Sequence, residues 1–295
     1  MTKIGFIGLG NMGAKMTMNL LKANYEVIGY DINKEFVKNL LPQGLKQAAN
    51  LNDISQDTDI IITMLPNGDI VEEVYDNIVD EFAPGTLFVD CSTIEVNKAK
   101  QLHKKCDDKN ILSLDAPVSG GVGGAEQATL TFMVGGTEKA YKMMLPLFEI
   151  MGKKSLLCGS SGSGQATKAC NNMLLATTMI GVGEAFSLGQ NLGLDPEKLF
   201  EILSTSTGSC WAINSYCPIK GVGPTSPADN DFRPGFSADL MLKDLTIALK
   251  AIESTNTSAP FGKNSRENFE RMVNGNQGSL DFSAITKFKI GRAHV

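Results

Sequence analysis

A short apolar run, Lys3-Ile-Gly-Phe-Ile7, enters Gly8-Leu9-Gly10-Asn11-Met12-Gly13 and leaves as an amphipathic segment, Ala14-Lys-Met-Thr-Met-Asn-Leu-Leu21. Few patterns restrict a chain more. The first glycine permits a tight turn, the second lets backbone approach a pyrophosphate, and the third lets helix and strand pack closely. The phosphates then lie over a helix N-terminus, whose free N–H groups and dipole favour anions. A second apolar run, Glu26-Val-Ile-Gly-Tyr30, ends in Asp31, at the spacing where an acid grips the adenine ribose. Strand, turn, helix, strand and acid in register predict a dinucleotide site on Gly8, Leu9, Gly10, Asn11, Met12, Gly13 and Asp31. The Asp31 carboxylate can accept from both ribose hydroxyls and would repel a 2′-phosphate. Ile32-Asn33-Lys34 offers no arginine to hold such a phosphate, so the expected cofactor is NAD.

The rest of the chain divides by periodicity. Short apolar runs at 3–7, 26–30, 59–65, 86–91, 111–114 and 130–134 are bounded by polar or glycine breaks, with helical patterns between several of them. That alternation predicts an α/β fold, a Rossmann-type doubly wound parallel sheet. From Ala166 onward it stops, and 173–192, 195–204, 236–254 and 260–274 read as helices. The expected domains are 1–163, binding NAD, and 164–289, all-helical, with a small substrate in the cleft between them. The proline- and glycine-rich stretch 221–235 reads as a lid or a disordered loop. Residues 290–295, Ile-Gly-Arg-Ala-His-Val, match an in-frame translation of a common sequencing-adapter oligonucleotide and are set aside as an artefact.

Bulk properties exclude several classes. A net charge of −5 argues against nucleic acid or an anionic membrane as partner. The longest apolar stretch, around Met173 to Leu188, contains Glu184 and several glycines and reads as a core helix. Six cysteines, at 91, 106, 158, 170, 210 and 217, show no ligand spacing, so reduced thiols and no metal site are expected. The first strand begins almost at residue 1, so no signal or transit peptide is expected. A bacterial copy is then expected in the cytoplasm, and a eukaryotic one in the mitochondrial matrix with its presequence missing. Of two histidines, His294 falls in the excluded tail and His103 lies in a polar helix, Lys100-Gln-Leu-His-Lys-Lys105, where it reads as solvated. Proton transfer then falls to lysine.

Lys168 is the candidate. It sits four residues before Asn172 in Gly162-Ser-Gly164-Gln-Ala-Thr-Lys168-Ala-Cys-Asn171-Asn172, so the two share one helical face. Burial would move such a lysine toward neutrality, which suits proton exchange with a hydroxyl; the bland alternative is a surface lysine snorkelling off a core helix. Asp115-Ala-Pro-Val-Ser119-Gly120-Gly121 follows a strand at the sheet's carboxyl edge. Ser119 offers a hydroxyl, and Gly120 and Gly121 offer unshielded N–H groups that could hold a carboxylate. Leu65-Pro66 and Cys91-Ser92-Thr93 close two further strands and could line the cofactor, or merely end them. By residue type alone, Lys243-Asp244 reads as a surface ion pair and Trp211, Tyr216 and Phe236 as core.

These motifs coincide with a known family. Phe6 to Gly13, Asp115 to Gly121 and Gly162-x-Gly164-x-x-x-Lys168-x-x-x-Asn172 resemble the three signatures of the β-hydroxyacid dehydrogenases. From Lys3 to about Phe288 the chain is similar to the 3-hydroxyisobutyrate dehydrogenase branch, most specifically at Asp90-Cys-Ser-Thr-Ile94, Cys210-Trp-x-x-x-x-Tyr216, Lys243-Asp-Leu245 and Asp281-Phe-Ser283. The resemblance implies NAD-dependent oxidation of (S)-3-hydroxyisobutyrate to methylmalonate semialdehyde, a step of valine breakdown. It implies Lys168 as the catalytic acid/base with Asn172 beside it, and Ser119, Gly120, Gly121 and Asn172 on the substrate. Trp211 and Phe236 would wall the pocket, Thr93 and Lys243 would touch the cofactor, and Asp244 would orient a lysine. Homodimers or homotetramers formed through the second domain are expected. Cys217, where the family usually has asparagine, and Lys220, where proline is common, depart from its pattern at the pocket loop. A sister reductase of tartronate or succinic semialdehyde stays open, while Lys168 argues against an imine reductase and a non-enzymatic scaffold.

Overall fold

Runs such as Ile60-Ile-Ile-Thr63 bury every residue, which suits strands covered by helices on both faces. In the computed structural model, which describes residues 2–54 and 58–290, each such run is a strand. The part of the excluded tail from residue 291 lies outside the described residues. The chain divides into two compact units, Met1–Lys168 and Ala169–Val295.

The first unit holds strands β1 (Lys3–Ile7), β2 (Glu26–Tyr30), β3 (Lys46–Gln47), β4 (Ile60–Thr63), β5 (Leu87–Asp90), β6 (Leu112–Asp115), β7 (Val118–Ser119), β8 (Leu130–Gly136) and β9 (Gly152–Gly159). Its helices are α1 (Gly13–Lys22), α2 (Lys34–Leu40), α3 (Gly68–Ile78), α4 (Val96–Asp107), α5 (Gly121–Glu126) and α6 (Glu138–Met151). Among the described residues the strands form one sheet, parallel in the order β3-β2-β1-β4-β5-β6. Alternate side chains feed opposite cores. Ile4, Phe6, Ile62 and Val89 pack with Met16, Leu20, Met144 and Phe148, whereas Ile7, Ile61 and Phe88 pack with Val71, Ile78 and Leu102. That is the expected doubly wound arrangement.

The far edge has more in it than the apolar runs announce. β8 runs antiparallel to β6 and β7 and parallel to β9. β6 and β7 share one register on β8, Leu114 opposite Gly136 and Ser119 opposite Thr131. The break between them is Ala116-Pro117, where proline has no N–H to give; the Pro117 carbonyl still accepts from Met133 N, 3.0 Å. Strands β3, β7 and β9 were not expected from pattern alone. The first two span two residues each, and β9, Gly-Lys-Lys-Ser-Leu-Leu-Cys-Gly, is a half-exposed edge strand without clean alternation.

Helix α7 (Ser163–Asn191) leaves the first unit and continues into the second, followed by α8 (Pro196–Thr205), α9 (Trp211–Asn214), α10 (Ala238–Ser254), α11 (Pro260–Met272) and α12 (Ile285–Ile290). Met179, Phe186, Met241, Leu245, Phe269, Met272 and Phe282 form the second unit's core. Three expectations are corrected here. Helix α7 begins ten residues before the expected 173, because a distant carboxylate caps it (below). It is not buried all round: Leu174 and Leu188 are 63% and 60% exposed. Segment 221–235 is not disordered. It buries Val222, Ala228 and Phe232, and a 3-10 turn, Pro227–Asn230, is closed by a reciprocal Ser226–Asp229 capping box.

Candidate active site

The glycine turn separates into two kinds of glycine. Gly8 has φ +93, and a Cβ there would lie 2.3 Å from the Met64 carbonyl; one on Gly13 would lie 1.9 Å from the Gly8 carbonyl. Both are demanded by the chain's own packing. Gly10 is different: a Cβ there would meet nothing within 4 Å. Internal packing gives no reason for glycine at Gly10, whereas a pyrophosphate lying against the backbone does. The N-terminus of α1 agrees, since Met12 supplies no side-chain cap and no acid sits in the first turn. The residues present therefore fit a dinucleotide.

Asp31 ends β2 beside this turn. Its Oδ2 accepts from Leu9 N at 2.7 Å and its Oδ1 from Asn33 N at 2.8 Å. The acid is thus fixed to the turn itself. Leu65 N donates to Ser92 Oγ at 2.8 Å, joining the ends of β4 and β5, so Leu65, Pro66 and Thr93 stand at neighbouring strand ends.

The second group gathers around Asp115. Its Oδ1 accepts from Gly162 N and its Oδ2 from Gln165 N, each at 2.8 Å. Asp115 therefore caps the start of α7 from the end of β6, a role that local capping rules cannot reveal. Lys168 lies one turn further along, 8% exposed, and its Nζ donates to the Val118 carbonyl at 2.8 Å. The surface-lysine alternative is thereby excluded. Val118 immediately precedes Ser119, and Gly120 (φ +133) and Gly121 (φ +61) adopt conformations that L-residues rarely take. The hydrogen bond to Val118 thus ties Lys168 of α7 to the residue that leads into Ser119, Gly120 and Gly121.

Two residues of this network escaped the sequence reading. Gln165, 1% exposed, donates from Nε2 to the Ser92 carbonyl at 2.8 Å and accepts from Ile94 N at 3.1 Å, bracing the loop that carries Thr93. His103 is a correction. It is 5% exposed, with Nε2 2.9 Å from Asp115 Oδ1 and Nδ1 2.6 Å from Ser113 Oγ. The signal was available, because Ala99, Leu102, His103 and Cys106 recur at helical spacing and form the buried face of α4.

In the second unit, Asn172 Nδ2 donates to Asp244 Oδ2, and Lys243 Nζ lies 3.4 Å from Asp244 Oδ1. Asp244 is 3% exposed, and Oδ1 has no hydrogen bond among the described residues. Lys243-Asp244 is thus not a surface pair. A buried carboxylate must be matched: Asn172 donates to one oxygen, and the Lys243 ammonium lies as a counter-charge near the other. Trp211 is half exposed rather than core. It stacks on Tyr216 at 4.8 Å, Tyr216 stacks on Phe282 at 5.6 Å, and Phe236 meets Phe282 edge-on at 5.9 Å. Cys217 is fully buried in the core cluster, where burial pushes its thiol up. Lys220 is exposed. No group of three or more metal-ligating side chains occurs among the described residues, and no helix there is long and apolar enough to cross a membrane.

Known proteins resemble this chain along nearly its whole length. The family model described as the NAD binding domain of 6-phosphogluconate dehydrogenase matches residues 3–159, and that described as NAD-binding of NADP-dependent 3-hydroxyisobutyrate dehydrogenase matches 162–288. The mitochondrial 3-hydroxyisobutyrate dehydrogenase of Drosophila melanogaster is 45% identical over 96% of this chain and 87% of its own length. An NAD-dependent L-serine dehydrogenase of Pseudomonas aeruginosa is 41% identical over 97% of both chains. The solved structure of Mycobacterium tuberculosis 3-hydroxyisobutyrate dehydrogenase with L-serine superposes with a TM-score of 0.95 at 42% identity, covering 98% of this chain and 99% of that one. An NAD-binding first unit, a helical second unit and near full-length identity to these enzymes place the chain in the 3-hydroxyisobutyrate dehydrogenase family, as an NAD-binding oxidoreductase.

Proposed function

We propose that the protein oxidises the hydroxyl of (S)-3-hydroxyisobutyrate, giving methylmalonate semialdehyde in valine breakdown. The observation that carries this reading is Lys168, buried and tied to the carbonyl that precedes Ser119. Bound NAD supplies the hydride acceptor. Ser119 and the Gly120 and Gly121 amides hold the substrate carboxylate, and Lys168 takes the hydroxyl proton, or returns it in the reverse direction. Asn172, one turn on, steadies the same hydroxyl while Asp244 fixes its amide. Lys243 and Thr93 are the proposed cofactor-binding residues, and Trp211 and Phe236 the proposed substrate-binding ones. Positioned proton transfer contributes ~10²–10⁴-fold in rate.

L-serine is the second reading. It carries an ammonium where 3-hydroxyisobutyrate carries a methyl, and the exposed face of Trp211 can receive either, by burial or by cation–π attraction. Self-association through the second unit has support in its surface. Leu188, Leu192 and Ile202 are each at least 60% exposed, and α8 buries none of its residues. The proposed assembly is a homodimer or homotetramer, and the proposed compartment is the cytoplasm for a bacterial protein and the mitochondrial matrix for a eukaryotic one.

The test is reduced-cofactor formation with (S)-3-hydroxyisobutyrate, L-serine, glycerate and 4-hydroxybutyrate, each with NAD and with NADP. Preference for 3-hydroxyisobutyrate and NAD is expected. A higher kcat/KM on L-serine would overturn the substrate, and preference for NADP would overturn the role given to Asp31.

A further inference from the structure

Asp281 opens the Asp-Phe-Ser segment that the chemistry above leaves unused. It is fully buried and accepts five hydrogen bonds. Oδ2 accepts from the Tyr216 phenol (3.0 Å), Gly235 N (3.0 Å) and Phe236 N (3.1 Å). Oδ1 accepts from Ser283 N (3.0 Å) and Ser283 Oγ (2.6 Å). Its backbone joins the same segments: Asp281 N donates to the Phe232 carbonyl and Phe282 N to the Phe236 carbonyl, both at 2.9 Å.

The three donors on Oδ2 belong to the aromatic wall. Tyr216 lies between Trp211 and Phe282, and Phe236 closes on Phe282. Stacking is worth only ~0.5–1.5 kcal/mol per pair and tolerates sliding. Three charge-assisted hydrogen bonds to one oxygen do not tolerate it, because a buried carboxylate left short of donors is costly. Burial and the neighbouring Asp281 charge push the Tyr216 phenol far up, so it remains a donor.

We infer that Asp281 is a positioning residue for substrate choice: by holding Tyr216 and Phe236 on one oxygen, it sets the face that distinguishes the methyl of 3-hydroxyisobutyrate from the ammonium of L-serine. The inference rests on the reading that Trp211 and Phe236 bound the substrate. Loosening the wall leaves proton transfer by Lys168 intact and changes which small group fits.

The experiment compares Asp281→Asn, Tyr216→Phe, Phe236→Ala and Ser283→Ala with the parent on both substrates, following Trp211 emission throughout. The chain contains one tryptophan, so that emission reports the stack directly. Tyr216→Phe keeps the ring and removes only the tether, and it carries the test should Asp281→Asn fail to fold. Asp281→Asn and Tyr216→Phe are each expected to change the kcat/KM ratio between the substrates by about tenfold, mainly through KM. Trp211 emission should shift in both, with NADH affinity unchanged. Ser283→Ala, acting on the other oxygen, should leave the ratio alone. Equal proportional losses on both substrates with unshifted emission would reduce Asp281 to a structural residue and overturn the inference. A ratio moved by Phe236→Ala but by neither tether variant would overturn it while keeping the pocket reading. A ratio that Phe236→Ala also leaves unmoved would remove the pocket reading and the inference with it.

Discussion

Asp115 and Asp281 are two buried carboxylates, 2% and 0% exposed, each accepting two backbone N–H groups from segments more than forty residues away in sequence. They differ in what they hold. Asp115 ends a strand and caps α7, a stiff rod on which Lys168 stands one turn later. Asp281 lies in irregular chain and gathers a tyrosine, a loop and a phenylalanine. Fixing the start of a helix fixes every side chain in its first turns, which suits the proton transfer proposed for Lys168. Fixing loops one hydrogen bond at a time suits a surface, where shape matters and single atoms do not. One device therefore serves a point in the first unit and a wall in the second.

Lys168→Ala gives the largest effect and tests whether the first carboxylate serves chemistry at all. Turnover should fall by at least ~10²-fold while NADH still binds in a fluorescence titration. Near-parental turnover would leave Asp115 holding a helix for no catalytic purpose. Asp115→Asn comes next. It should lower kcat by about ten- to a hundredfold, the range of one or two charge-assisted hydrogen bonds, with substrate preference unchanged. Steady-state kinetics showing altered preference with intact kcat would erase the distinction from Asp281.

The smallest effect concerns Asp90, a third buried carboxyl with fewer partners. Its Oδ1 accepts from Thr63 Oγ1 at 2.8 Å and Ser92 N at 3.1 Å, while Oδ2 accepts no hydrogen bond among the described residues. Burial pushes its pKa above 3.8, against the hydrogen bonds from Ser92 and Thr63. A raised folded-state pKa means that the native form keeps a proton the unfolded chain has released. Stability is therefore lost as pH rises from 3.8 through the folded-state value. Asp90→Asn removes that slope, so its Tm should gain on the parent's as pH rises above 3.8. Parallel Tm curves would show that Asp90 is as well matched as the other two.

What the sequence disclosed follows the range of the forces involved. Gly8, Gly10, Gly13 and Asp31 were legible because a turn, a helix N-terminus and the next strand end act within about thirty residues. Lys168 and Asn172 were legible as one helical face. The cap on α7 was not, since Asp115 lies 47 residues before Gly162 and carries no local signature of its target. His103 was misread because its lysine neighbours dominate the composition, although the buried spacing of Ala99, Leu102 and Cys106 was present. Tyr216 and Asp281 are 65 residues apart, and only folding shows that they meet. Trp211 misled in the opposite sense: residue type suggested burial, and half of it is exposed.

The open space beside Gly10 has a consequence for heredity. A side chain at Gly8 or Gly13 strikes backbone, so such a change damages the fold and is removed with it. A methyl group at Gly10 strikes nothing belonging to the protein and would obstruct only what binds there. In a gene copy released from selection for redox work, Gly10 can drift first, and the architecture would outlive the chemistry it was built around.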